Sequence, residues 1–378
     1  MGLLGEAVDQ GVPASRLASL GLRLALDRSQ GDLRGARWCH AFLALEAAGE
    51  LAAHCPAEIA LPAVVNALVF LESSEPTRFR ASPDESRPAD PEAFAHAVCR
   101  GDLPEAEAHA LALDRAGELE QPWFQLASSN LAGWGHRPLI GLATWRLRSR
   151  LPEESERLVR AGLRHWIPWE QLRGERGAAP LSSASAKRLE ACSAGEEFVT
   201  ALSEVLLAGE GDGVVGHALE QGRSPTELVD ALLRTACRVF AALPELRQLH
   251  GVTVTRALGE AVLDRAAPAA TVLRSAALFV VEGWLLALKS GRVLPEAAHY
   301  RLGVPTEGPE ASLMKELCER DATPNFGHLV KLTEASLGLR SMLGDGPAQA
   351  WATEILRAGL RKGTPWRRVW ATVSSGIL

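Results

Sequence analysis

The 378-residue sequence predicts an all-α fold. Three observations point there. Small and straight-chain apolar residues dominate, and β-branched runs are scarce, which favours helix over strand. Apolar residues recur at i, i+3, i+4 and i+7, and no segment alternates apolar and polar residues. Helix-end chemistry also recurs along the chain. Pattern counting gives roughly fifteen helices. The length suits one large helical domain over 1–378 built from αα-hairpins, or two coupled helical halves.

The recurring helix ends appear as a weak internal echo. Residues 7–24 read AVDQGVPASRLASLGLRL, residues 97–114 AVCRGDLPEAEAHALALD, residues 218–237 ALEQGRSPTELVDALLRTAC and residues 358–377 AGLRKGTPWRRVWATVSSGI. Each is a helix end, a glycine and a turn into a new helix. In the third, Gly222 suits the left-handed position after a helix. Ser224 caps the next helix, Pro225 fits its first turn, and Glu227 completes a capping box. The irregular spacing, about 90 to 140 residues, indicates a repeated hairpin rather than a solenoid. Two stretches rich in Pro, Ser and charge, 73–92 and 173–188, read as loops, either surface excursions or lids.

Hydrophobic residues make up 47% and charged residues 23% of the chain, with a net charge of −6. These are values of an ordinary soluble protein, without the basic footprint that nucleic acid or an anionic membrane requires. Cysteines at 39, 55, 99, 192, 237 and 318 form no C-x-x-C pair, which excludes zinc ribbons and thioredoxin-like sites. The N-terminus lacks the basic and apolar regions of a secretory signal. The most hydrophobic run, AALFVVEGWLLAL at 276–288, is too short to span a bilayer. A cytoplasmic protein with free, mostly packed cysteines is expected.

Helical phase sorts the ten histidines. His40 heads the stripe Leu43, Ala44, Ala47, Leu51. His136 heads Leu139, Ile140, Ala143, Leu147. His250 heads Thr253, Val254, Ala257, Ala261. His328 shares a face with Leu332, Ala335, Leu339 and Met342. All four are expected to point into the core from separate helices. His217 is expected in solvent, His299 in a loop, His54 and His165 beside turn-forming prolines; His96 and His109 fit either side. A lone core histidine is usually a hydrogen-bonded structural group. Four need partners, and a shared metal would satisfy all of them. Neither an H-E-x-x-H nor an E-x-x-H di-iron motif is present.

Lys331 lies about 60° from His328 on the helical wheel, at the edge of the apolar arc. Periodicity alone favours a snorkelling side chain paired with Glu334. A buried lysine instead loses its charge readily, and the neutral amine can take up carbon dioxide as an oxygen-donating carbamate. Glu282, inside FVVEGWLL, needs a partner. Arg274 or Lys289 would serve, or the carboxylate accepts a hydrogen bond from a ligand histidine.

At these residues the sequence resembles the questin oxidase-like family. The resemblance rests on WCHAFLALEAAG (38–49), GHRPLIGLATWRL (135–147), LHGVTVTRAL (249–258) and GHLVKLTEASL (327–337), in that order along most of the chain. It implies an all-helical fold and oxygen-dependent oxidation, including ring opening, of aromatic polyketides such as anthraquinones in secondary metabolism. It further implies non-haem iron(II) as cofactor, held by His40, His136, His250 and His328 with a carbamate formed from CO2 on Lys331, and O2 as co-substrate. The chain departs from the pattern at Gly141, where a further histidine often stands, and at Arg37-Trp38-Cys39. It is also short for these oxidases. The partner would be a small aromatic molecule, with no nucleic acid or membrane. Ten tryptophans against one tyrosine offer stacking walls, with Trp38 and Trp134 as pocket candidates and core packing as the role of most others. The alternatives are a helical scaffold that has kept the fold without the chemistry, and a closed structural metal site.

Overall fold

Among the described residues of the computed structural model 84% are helical, in sixteen α-helices with two short strands. The structure describes residues 6–7, 10–28, 36–72, 87–129, 131–167, 179–265, 267–289, 309–320, 328–343, 355–356 and 359. In chain order the helices are α1 (Ala14–Arg28), α2 (Ala36–His54), α3 (Ala57–Glu72), α4 (Pro91–Arg100), α5 (Leu103–Ala116), α6 (Glu120–Ser129), α7 (Ala132–Arg150) and α8 (Ser155–Trp166). There follow α9 (Ser183–Ala191), α10 (Glu196–Leu207), α11 (Val214–Glu220), α12 (Pro225–Ala242), α13 (Leu246–Asp264), α14 (Ala269–Lys289), α15 (Pro309–Arg320) and α16 (His328–Leu343). Strands β1 (Ala179–Pro180) and β2 (Glu210–Asp212) pair in parallel. The chain divides into two compact units. Unit 1 is Met1–Arg80 with Leu302–Leu378, and unit 2 is Ala81–Arg301.

In unit 1, α2 and α3 form a hairpin across Cys55 and Pro56. The Cys55 N–H closes α2 onto Leu51, and Pro56 supplies the carbonyl that starts α3. Helix α1 packs on both, α15 packs on α3, and α16 packs on α2 and α15. Gly21 lets α1 approach α3, because a Cβ there would lie 2.1 Å from Leu68 Cδ2.

In unit 2, α12, α13 and α14 pack on one another, α10 backs α12, and α7 packs against α8 and α13. The echoed helix ends form as the sequence indicates. Gly11, Gly101 and Gly222 take φ of 70°, 72° and 76°. Ser224 Oγ accepts from the Glu227 N–H, and the Glu227 carboxylate accepts from the Ser224 N–H, completing the box. Glu227 also accepts from the Gly195 N–H, tying the start of α10 to that of α12. These bonds hold its carboxyl below the usual carboxylate range. The fourth echo, at Gly363, lies outside the described residues.

Three expectations need correction. The 173–188 stretch is not a loop throughout: 179–180 is β1, and α9 begins at Ser183, capped by Ser182. Of 73–92, residues 73–86 lie outside the described residues, and α4 starts at Pro91 behind the Asp90 cap. The apolar run at 276–288 is part of a 21-residue helix, α14. By length and composition alone α14 could cross a membrane, but 61% of its apolar window is buried. Trp284 on that helix packs with Val239, Leu243 and Ala287, and its indole N–H donates to the Leu207 carbonyl.

Candidate functional site

The four core-facing histidines are all buried, between 0% and 5% exposed. They form two pairs, one in each unit.

The unit 1 pair joins α2 to α16. The rings of His40 and His328 lie 4.7 Å apart, tilted by 49°. The stripes beneath them, from Leu43 to Leu51 and from Leu332 to Leu339, are buried as the phase requires. Lys331 does not snorkel. It is 6% exposed, and its Nζ lies 3.0 Å from His40 Nδ1. As an ammonium it donates to an unprotonated Nδ1. Glu334, the proposed surface partner, is itself buried. The packing of α16 on α2 turns a position at the edge of the apolar arc into an interior one. Burial pushes the neighbouring Cys39 thiol up to about 12, against the opposing pull of Lys331 and of a backbone hydrogen bond from His40.

The unit 2 pair joins α7 to α13. The rings of His136 and His250 lie 4.8 Å apart at 54°. A left-handed residue inside α7 precedes His136. Gly135 takes φ 73°, and a Cβ on it would meet Val254 Cγ2 at 2.6 Å and Phe279 Cζ at 3.2 Å. Gly135 and Pro138 both lie inside the helix Ala132–Arg150, on either side of His136. Gly135→Ala is expected to cost about 2–4 kcal/mol, combining left-handed strain with overpacking. Urea unfolding measures it, and a loss below about 1 kcal/mol would show that the left-handed conformation is not needed.

Ten residues beyond the histidines, about 15 Å along each helix, a second contact repeats the pairing. Arg146 on α7 makes a bidentate, buried ion pair with Glu260 on α13, and Arg256 adds a third member at 3.1 Å. Two contacts in the same order show that α7 and α13 run parallel. The sequence reading did not identify this clamp. Its signal was present, since Arg146 follows His136 and Glu260 follows His250 by the same interval. Arg137 was also missed. It is fully buried, lies over the Trp166 ring at 5.0 Å and donates to the Leu126 carbonyl at 2.6 Å; burial lowers its pKa to about 9.

Position 141 has no room for a further histidine. A Cβ on Gly141 would lie 2.9 Å from Ala127 Cβ, and the Gly141 carbonyl accepts from Trp123 Nε1 at 3.1 Å. Trp123 and Trp166, with ring centroids 4.6 Å apart, are fully buried core residues, as expected for most tryptophans. Trp38 and Trp134 belong to α2 and α7, but their side chains lie outside the described residues.

Glu282 pairs with neither Arg274 nor Lys289. Arg247 on α13 reaches it at 3.2 Å, and Arg274 is held by Asp212. The carboxylate is thus engaged by a guanidinium rather than by a ligand histidine. Among the remaining histidines, His54 is exposed and His217 is half-buried beside Glu190, not fully solvated. His165 is buried in the last turn of α8 rather than at a turn, and burial holds it neutral, well below its usual range. His96 is exposed, His109 is buried, and His299 lies outside the described residues.

Paired imidazoles and a buried amine fit a borderline first-row metal ion in donor type. Rings this close can present nitrogens to one ion at the usual bond length of about 2.1 Å. None of the six cysteines is in a disulfide; Cys39, Cys237 and Cys318 are buried and Cys99 is exposed. No protein-family model, no curated protein and no solved structure matches the chain.

Proposed function

We propose that the protein is a metal-dependent oxygenase, with non-haem iron as its metal and a bulky aromatic, polyketide-like molecule as its substrate. The proposed ligands are those the family resemblance implies, His40, His136, His250, His328 and Lys331, with Lys331 acting as its CO2-derived carbamate. The observation that carries this reading is Lys331, an amine withdrawn from solvent and set 3.0 Å from a buried imidazole. Surface lysines rarely adopt such a place, and the carbamate needs an amine out of bulk water. The bound metal supplies the oxygen chemistry that side chains cannot perform alone. The chain's own part is positional. Lys331 fixes the orientation of His40, the left-handed Gly135 packed on Val254 holds the chain just before His136, and the surrounding apolar helices keep the imidazoles dry. Trp38 and Trp134, two residues before His40 and His136, are the proposed stacking walls. The reading includes a cytoplasmic setting, which suits six cysteines outside any disulfide.

Elemental analysis of protein purified without chelator tests it. Iron near one equivalent per chain is expected, with loss of that iron in both His328→Ala and His250→Ala, together with oxygen uptake when quinones are supplied. A metal-free wild type whose stability His328→Ala leaves unchanged would favour the scaffold. Bound iron without oxygen uptake on any quinone would favour a closed structural site.

A further inference from the structure

Ile355, Leu356 and Gly359 are helical, and all three are buried, the first two completely. Their spacing of three and four puts them on one helical face. That face lies on the helices of unit 1. A Cβ on Gly359 would sit 2.7 Å from Leu332 Cδ2 on α16 and 3.2 Å from Leu317 Cδ2 on α15. Both leucines are fully buried, so neither methyl has open space to retreat into. Glycine is what lets the segment come this close. Leu332 follows Lys331 directly and lies one turn after His328. On the helical wheel Lys331 and Leu332 flank His328, about 100° apart. Helix α16 is therefore gripped on two sides. His328 and Lys331 meet His40 of α2, and Leu332 meets Gly359. The Lys331 contact has little slack, because a separation grown from 3.0 Å past about 3.5 Å is no longer a hydrogen bond.

We propose that Gly359 is a positioning residue for the ligands on α16: the segment at 355–359 holds α16 in the rotation that turns His328 and Lys331 toward His40. The inference rests on the metal reading above. Site residues work only when their support holds them to within about 0.5 Å. A Cβ at 359 must displace Leu332 by more than that to reach the ordinary carbon–carbon separation of about 3.5–4.0 Å. Coupling is reciprocal, so metal binding in turn tightens the segment.

Hydrogen exchange on the full wild-type chain, metal-free and with Fe(II) added anaerobically, tests this without a variant. The peptide carrying Ile355, Leu356 and Gly359 should exchange about tenfold more slowly with iron, in step with the start of α16. Gly359→Ala should bind iron about tenfold more weakly in competition with a chelator, at unchanged circular dichroism. In a Leu332→Ala background the Cβ has room, and Gly359→Ala should then change the affinity by less than about twofold. An iron affinity of Gly359→Ala within about twofold of the wild type, or iron binding without added protection at 355–359, overturns the inference and leaves the proposed function standing. A wild type that binds no iron removes both.

Discussion

Lys331→Met is expected to leave the chain folded and empty of metal. Methionine matches the aliphatic stem of lysine in volume, so the contact between α2 and α16 survives; swaps of this kind usually change stability by less than about 1.5 kcal/mol. What disappears is the nitrogen 3.0 Å from His40. Iron should fall from near one equivalent to background. Lys331→Arg should not restore it, because guanidinium cannot form a carbamate and its rigid fork does not fit the space of an ammonium. Metal content and circular dichroism on the same preparations separate loss of ligation from loss of fold. Full metal content in Lys331→Met would sink the ligand assignment.

The largest stability effect is expected at Glu260. Its carboxylate answers both Arg146 and Arg256 in a buried site. Glu260→Ala removes that anion from two guanidinium groups and should cost about 3–5 kcal/mol. Urea denaturation measures the loss. Replacing all three members by apolar residues of similar volume should recover most of it, because buried ion pairs often break even against good packing. The clamp joins the same two helices as His136 and His250, so Glu260→Ala should also weaken metal binding in whatever fraction remains folded. A cost below 1 kcal/mol would mean that solvent reaches the clamp.

The helical fold and the burial of four histidines were legible because both follow from periodicity, a property of neighbouring residues. His328 with Leu332, Ala335 and Leu339 is one stripe wherever the helix lies. Lys331 was not legible from phase. Its burial depends on α2, and its partner His40 is 291 positions away. Glu282 makes the same point. The sequence reading offered it Arg274 and Lys289 from its own helix, while the structure uses Arg247 from α13. The strand at 179–180 has two residues and no pattern of its own; it exists because residues 210–212 lie beside it. The left-handed glycines were legible at Gly101 and Gly222, where turn chemistry surrounds them. At Gly135 the cause is contact with Val254, which no local pattern announces.

The discontinuity of unit 1 has a consequence for synthesis. Its first 80 residues complete their core only with residues 302–378. At ribosomal speeds of about 5–20 residues per second, the 291-residue interval between His40 and Lys331 lasts roughly 15–60 s. During that time α1, α2 and α3 lack the cover that α15 and α16 provide, while unit 2, continuous in the chain, can finish first. The nascent protein thus displays an unclosed apolar face with His40 on it, and closing that face and bringing Lys331 to His40 are the same event.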